Sequence, residues 1–93
     1  MNAMFHIVVT PTFEKDIGKI DPSVAKRIIE KIEVLTLHDT VPGVPLSNLP
    51  KTLRKLRKQR VGDWRVLFWV NERKKEITLY AVEHRRSIYK RLK

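Results

Sequence analysis

Residue types suited to phosphate chemistry recur in the second half of the sequence. The set holds one lysine, three arginines, one histidine and one tyrosine: Lys58, Arg60, Arg65, His84, Arg85 and Tyr89. Arginine binds phosphate through a planar fork of donors, and histidine is the usual proton shuttle near neutral pH. Lysine and tyrosine can take or give a proton, and tyrosine can also stack on a base. These types supply what metal-free cleavage of RNA needs: a base for the 2′-hydroxyl, positive charge for the phosphorane and an acid for the leaving 5′-oxygen.

Further basic residues flank this set and are candidates for RNA binding: Arg54, Lys55, Arg57, Arg86 and Lys90. A run of charge on an edge strand more often serves solubility and protection against edge pairing, and that interpretation is favoured for Arg54 and Lys55. The two interpretations are balanced for Arg57. Arg65 differs from all of these, because a cation inside an otherwise apolar strand needs a reason.

The charge of the chain is divided unequally between its halves. Fifteen of the twenty Lys and Arg residues lie in residues 50–93 with only four acids, so that this half carries +11, whereas residues 1–49 carry −1. Such a surface repels itself unless it meets an anionic partner, and polyphosphate is the most frequent one. The 42% hydrophobic content is that of a globular protein and excludes a disordered basic tail.

Length and composition exclude several classes of protein. We expect a single domain over residues 1–93. Without cysteine there is no disulfide or thiolate chemistry, and no close-spaced ligand set predicts a metal or any other cofactor. No stretch approaches the roughly 20 apolar residues of a membrane span. The apolar segment at the N-terminus is too short for a signal peptide and lacks the basic leader of one. The sequence therefore predicts a soluble, cytoplasmic protein.

The first half reads as one strand and two helices. Residues 5–9 form an apolar strand, and Thr10 or Thr12 caps a first helix that Gly18 keeps short. Asp21-Pro22 begins a second helix, whose apolar residues recur every three or four positions: Ala25, Ile28, Ile29, Ile32 and Leu35. A long connection rich in proline then follows.

The second half reads as three strands and a short helix. The predicted strands are a basic one over residues 53–60, an apolar one over residues 64–70 and an alternating one over residues 76–83, with a helix within residues 86–92. Alternation puts Trp64, Val66 and Phe68 on the face toward the helices, and Arg65 and Leu67 on the opposite face. We expect that opposite face to be open to solvent and basic. The fold class is then α+β: a small antiparallel sheet packed against two N-terminal helices, in the order β-α-α-β-β-β with a short C-terminal helix.

Two ordered motifs carry a family resemblance. Residues 60–67, RVGDWRVL, and residues 77–89, ITLYAVEHRRSIY, resemble the RelE/ParE superfamily of toxins, in which Val-Gly-Asp-Tyr-Arg-Val is followed later by His-Arg-(Arg)-x-Ile/Val-Tyr. The chain departs from that pattern at Trp64, where tyrosine is usual, and at Glu83, where glycine is common. Because the resemblance follows the element order of nearly the whole chain, it implies a RelE-like fold, with the RelE branch favoured.

The resemblance also implies an activity and partners. RelE-like members cut messenger RNA in the ribosomal A site, and a cognate antitoxin masks their basic site, with a toxin–antitoxin heterotetramer as one form of the complex. Carried over by position, Lys58 or Tyr89 would handle the 2′-hydroxyl proton and Arg60 and Arg65 would hold the phosphate. Arg85 or His84 would assist the leaving oxygen.

Two alternatives compete with the ribosome-dependent nuclease. A ParE-like toxin has the same scaffold but acts on gyrase and has no nuclease chemistry. A non-catalytic RNA-binding module would use the same cations for binding alone. The joint presence of Lys58, Arg65, Arg85 and Tyr89 favours the nuclease.

Overall fold

In the part of the chain that the structure describes, a five-stranded sheet and three α-helices make up the fold. The computed structural model describes residues 4–38, 41 and 43–92, and of Tyr89 only the backbone. The elements in chain order are β1 (His6–Val9), α1 (Pro11–Ile17), α2 (Pro22–Leu35), β2 (Val44–Pro45), a 3₁₀ turn (Lys51–Leu53), β3 (Arg57–Val61), β4 (Trp64–Asn71), β5 (Glu76–His84) and α3 (Ile88–Arg91). None of the helices in these ranges is long and apolar enough to span a membrane.

The strand order across the sheet is β1-β5-β4-β3-β2. The prediction of an α+β fold with two N-terminal helices on a small sheet is confirmed. The sheet is mixed and not purely antiparallel, because β1 pairs with β5 in parallel. These two strands are separated by most of the chain, and a connection that contains helices allows parallel pairing where a hairpin does not. β1 forms one edge of the sheet, and all four of its residues are exposed.

Both N-terminal helices begin where the capping residues predict. The Thr10 side chain accepts a hydrogen bond from the Phe13 backbone N–H, and α1 ends before Gly18. Asp21 caps α2 by accepting from the backbone N–H of Ser23 at 2.9 Å, with Pro22 at the first helical position. Local sequence chemistry therefore sets the starts of both helices.

The Asp21 cap should give α2 a dependence on pH. Hydrogen bonds from Ser23, first from its side chain and then from its backbone, lower the pKa of Asp21 below its ordinary value of 3.8. A carboxyl with a depressed pKa in the folded state stabilises that state above its unfolded pKa, and the contribution is lost as pH falls through the folded value. Asp21→Asn keeps a capping oxygen but does not titrate. We therefore expect thermal melts of this variant and the parent to differ less below pH 3.8 than at pH 7, and an equal difference at both pH values would contradict the cap.

The main core lies between the sheet and the two N-terminal helices. Buried side chains of α1 and α2 pack here against β4 and β5: Phe13, Ile28, Ile32, Leu35, Val66, Phe68, Ile77, Leu79 and Val82. This side of the sheet is called the helix face below. Of the predicted apolar stripe of α2, Ile28, Ile32 and Leu35 are buried, whereas Ile29 is 37% exposed. The stripe that faces the core is thus narrower than the sequence pattern.

The opposite side, called the second face, carries a smaller core. Leu67 of β4 and Ala81 of β5 are fully buried there beneath Leu53, Leu56, Ile88 and Leu92. The expectation that this face is open to solvent is therefore wrong over its middle. The apolar residues of the C-terminal helix and of the segment before β3 cover it, which removes apolar area from water.

The basic strand begins later than predicted. Residues 53–56 belong to a 3₁₀ turn and its exit, where Lys55 has a φ of +69°, and β3 begins only at Arg57. Leu53 and Leu56 are three residues apart, so the alternation of a strand would place them on opposite faces. Both leucines enter the second core from a turn, so that strand alternation does not apply to them.

Candidate phosphate-binding site

The β3–β4 hairpin brings three of the predicted cations to one face. Arg60 lies directly opposite Arg65, and Lys58 lies opposite Leu67. Directly opposed residues of paired strands share a face, so Lys58, Arg60 and Arg65 all project from the second face. Gly62, with φ of +60°, occupies the first central position of the two-residue turn, where a glycine avoids the strain of a positive φ.

Arg65 is held in place by the turn beside it. Its Nη1 donates to the carbonyl oxygens of Gly62 and Trp64, both at 2.9 Å, and the side chain is partly buried. Within the described residues, its Nε and Nη2 donate to no protein acceptor. A guanidinium fixed through one nitrogen keeps a fork of donors for a bidentate phosphate contact.

The residues after β5 approach the same end of the sheet. The Arg85 backbone N–H donates to the Asp63 carbonyl at 2.8 Å, and Arg85 Nε lies 3.6 Å from Asp63 Oδ1. Both side chains of this ion pair are more than half exposed, and such a pair contributes little to stability. Arg85 is therefore next to the hairpin turn and can exchange Asp63 for a phosphate at small cost.

His84 lies on the other side of the sheet. It is paired with Trp64, and the two rings meet edge to face at 5.3 Å between centroids. Its Nδ1 accepts a hydrogen bond from the Arg86 backbone N–H at 3.2 Å. Because Trp64 belongs to the helix face, His84 is separated by the sheet from Lys58 and Arg65. The side chain of Tyr89 lies outside the described residues.

The five candidates for RNA binding are scattered around the hairpin. Arg54, Lys55, Arg86 and Lys90 are exposed, and Arg57 is partly buried. The Arg57 side chain donates to the Val41 carbonyl at 3.0 Å, and the Arg54 carbonyl accepts from Trp69 Nε1 at 3.0 Å. Arg57 thus anchors the connection after α2, a structural role that differs from both the phosphate contact and the solvation weighed for it from the sequence.

An ion-pair cluster that the sequence does not predict connects α1, β5 and α3. Nη1 of Arg91 lies 2.9 Å from Asp16 Oδ2 and 3.0 Å from Glu83 Oε2. Asp16 Oδ2 also accepts the backbone N–H of Val82 at 3.0 Å. The cluster therefore connects the C-terminal helix to the first helix and to the last strand. The sequence holds no signal for it, because its members are far apart in the chain and follow no motif.

The Arg91 guanidinium stays charged in this setting. Partial burial acts to lower the pKa of Arg91, but hydrogen bonds to Glu83 and Asp16 together with their charges outweigh it and raise the pKa above its ordinary value. A charged, bonded arginine between two carboxylates is a fixed feature at neutral pH. Nowhere in the described ranges do three His, Asp or Glu side chains come together so that they could hold a metal ion.

Comparisons with known proteins agree with this fold. A family model described as the ParE toxin of type II toxin-antitoxin system, parDE, matches residues 7–89. A search of curated proteins gave no match. The toxin–antitoxin complex RelBE2 of Mycobacterium tuberculosis is similar to this chain at 20% identity and a TM-score of 0.74, over 90% of this chain and 94% of that one.

Two archaeal structures are similar as well. The RelB–RelE complex of Methanococcus jannaschii aligns at 26% identity with a TM-score of 0.65, over 92% of this chain and 99% of that one. The RelE–RelB complex of Pyrococcus horikoshii aligns at 17% identity with a TM-score of 0.68, over 88% and 96%. The family model spans most of the chain and the shared fold extends over nearly all of it. The chain therefore belongs to the ParE toxin family within the RelE/ParE superfamily, the toxins of type II toxin–antitoxin systems.

Proposed function

We propose that this toxin is a metal-independent endoribonuclease that cuts ribosome-bound messenger RNA and so inhibits translation in the cytoplasm. The cleavage needs no cofactor, because the neighbouring 2′-hydroxyl attacks the phosphorus. The new bond joins the 2′-oxygen to phosphorus and the bond to the 5′-oxygen breaks. The products are a 2′,3′-cyclic phosphate and a 5′-hydroxyl end.

The observation that carries this proposal is the register of the β3–β4 hairpin. Arg60 is opposite Arg65, and Lys58 projects from the same face two residues away. Three cations on two adjacent strands can neutralise the charge that develops on a pentavalent phosphorane. If the basic residues served only solubility, there would be no reason for an arginine within the apolar strand β4, where Arg65 lies.

The remaining residues would take the proton-transfer roles. Lys58 or Tyr89 takes the proton of the 2′-hydroxyl, while Arg60 and Arg65 bind the non-bridging oxygens. Arg85 lies beside the hairpin turn and His84 on the other face, so Arg85 is the stronger candidate to assist the leaving 5′-oxygen. Exposed Arg54, Lys55, Arg86 and Lys90 would add phosphate contacts along the messenger.

The proposal includes a cognate antitoxin as partner. Solved structures similar to this chain include complexes of RelE with RelB, and a surface with the +11 charge of residues 50–93 calls for an acidic partner. An antitoxin that covers Lys58, Arg60 and Arg65 would block the phosphate site. A heterotetramer of two toxins and two antitoxins is the assembly we expect.

The proposal is tested by mapping messenger ends in a translation extract. Adding the purified chain should produce new 5′ ends on ribosome-bound messenger, and these ends should carry 5′-hydroxyl groups. The same messenger without ribosomes serves as the reference for ribosome dependence. Intact messenger and undiminished translation at saturating toxin would refute the nuclease.

A ParE-like toxin that inhibits gyrase is the second candidate. The description of the matching family model favours it, and so does the position of His84 away from the cationic face. This candidate predicts that purified gyrase loses supercoiling activity when the chain is added while messenger stays intact. The two assays therefore separate the two functions.

A further inference from the structure

A carboxylate lies beside the phosphate-binding arginine of the proposed site. Glu83 of β5 is directly opposite Arg65 of β4, which is itself opposite Arg60 of β3. Opposed residues on neighbouring strands have Cβ atoms about 4.5–5.5 Å apart, within reach of a salt bridge. An acid at this position would be expected to pair with Arg65 and compete with any phosphate.

Glu83 instead binds Arg91. Its Oε2 lies 3.0 Å from Nη1 of Arg91, and the same nitrogen lies 2.9 Å from Asp16 Oδ2. Its Oε1 accepts the His84 backbone N–H at 3.3 Å. Within the described part of the chain, Arg65 donates to two backbone carbonyls and forms no ion pair. The acid that is best placed to neutralise Arg65 is thus engaged elsewhere.

We propose that Arg91, held by Asp16, is a positioning residue that draws the Glu83 carboxylate away from Arg65 and so keeps that guanidinium available for phosphate. This inference rests on the proposed function for its consequence, although the exchange of partners by Glu83 can be observed without RNA. Asp16 is fixed by the Val82 N–H at 3.0 Å, so it sets where Arg91 lies. All three side chains of the cluster are less than a quarter exposed, which limits screening by solvent.

The central test uses Arg91→Gln and a second change at Glu83. The glutamine amide can still donate to Asp16 or Glu83, which helps α3 to stay in place while the ionic hold on Glu83 is lost. We expect Arg91→Gln to weaken binding of a short, uncleavable 2′-O-methyl RNA by about tenfold, the loss expected for one charge-assisted contact. Adding Glu83→Gln should restore the affinity of the parent, because no acid is left to pair with Arg65.

The rescue separates positioning from a merely structural role. If Arg91 only anchors α3, the double variant loses a second cluster member and binds no better than Arg91→Gln, and this result would overturn the inference. Lys26→Ala, an exposed change of equal charge on α2, controls for general electrostatics and should have a smaller effect. If Lys26→Ala weakens binding as much as Arg91→Gln, the specific effect is refuted.

A measurement without RNA tells failure of this inference from failure of the proposed function. In Arg91→Gln, the Nε–H resonance of Arg65 should shift and exchange more slowly with water as Glu83 pairs with it, and Glu83→Gln should reverse both changes. An unchanged Arg65 resonance in a folded variant refutes the exchange of partners. If the resonance changes but Arg65→Gln leaves RNA binding unaltered, the exchange stands and the proposed RNA site fails. Should Arg91→Gln not fold, the same measurements are made on Arg91→Met, which also keeps a long unbranched side chain and also removes the charge that holds Glu83.

Discussion

Replacing Arg65 by glutamine is expected to lower the rate of messenger cleavage about 100-fold, the usual loss when one preorganised donor to a developing anion is removed. The Nη1 bonds to Gly62 and Trp64 hold this guanidinium in position, so little reorganisation is needed when charge develops on the phosphorane. Single-turnover cleavage on programmed ribosomes at saturating toxin would measure the chemical step apart from binding. Glutamine keeps a similar length and polarity, which limits the change to the charge and the fork of donors.

Arg73→Gln provides the matched control for this experiment. Arg73 is an exposed arginine in the turn between β4 and β5, at the opposite end of β4 from the hairpin. The same chemical change there should reduce cleavage only through the weaker general field, an effect that higher salt diminishes. Equal losses for the two variants would show that total charge, and not the hairpin cations, supports the activity.

Phe68→Ala should destabilise the fold by about 3–5 kcal/mol, the range for truncation of a buried aromatic side chain. Phe68 is fully buried at the centre of the helix face. Its ring packs so closely on Gly43 that a Cβ added there would lie 2.8 Å from Cζ. Because Gly43 has no side chain, it cannot fill the cavity that alanine would leave at position 68. Urea unfolding should show a lower midpoint with an unchanged slope.

Val34→Ala is the corresponding control on the surface. Val34 is an α2 residue that is 46% exposed, and its truncation should change the free energy of unfolding by less than about 0.5 kcal/mol. A loss at Val34 comparable to that at Phe68 would contradict the placement of the core between the sheet and α2.

Much of the fold follows from local sequence chemistry. The caps Thr10 and Asp21 predict where α1 and α2 begin, and the run from Trp64 onwards predicts the apolar strand β4. The parallel pairing of β1 with β5 was not predictable in this way, because strand direction depends on contacts between residues at the two ends of the chain. The second core was not predictable for the same reason, because its residues come from segments that are far apart in the sequence. Leu53, Leu56 and Ile88 fit no common period and meet only in three dimensions.

The candidate site was predictable in its residue types more than in its geometry. The spacing of Lys58 and Arg60 and the Gly-Asp turn before Arg65 predict that the three cations meet on one face, and the register agrees with that. The side of the sheet on which His84 lies depends on the register of β4 with β5, which one sequence does not determine. The spacing of residues in the sequence also does not predict that Glu83 binds Arg91, because this ion pair depends on how α3 packs against the sheet.

The pairing of β1 with β5 has a consequence for how the chain is made. Residues 6–9 leave the ribosome long before residues 76–79, with which they pair. Asp16 likewise leaves it long before its partners Val82 and Arg91. Contacts of such large sequence separation form slowly and only after both segments are free. A nascent copy whose synthesis stops before β5 lacks β5 and α3, so its sheet is incomplete and the ion-pair cluster of Asp16, Glu83 and Arg91 cannot form. Toxicity should therefore be a property of finished chains alone.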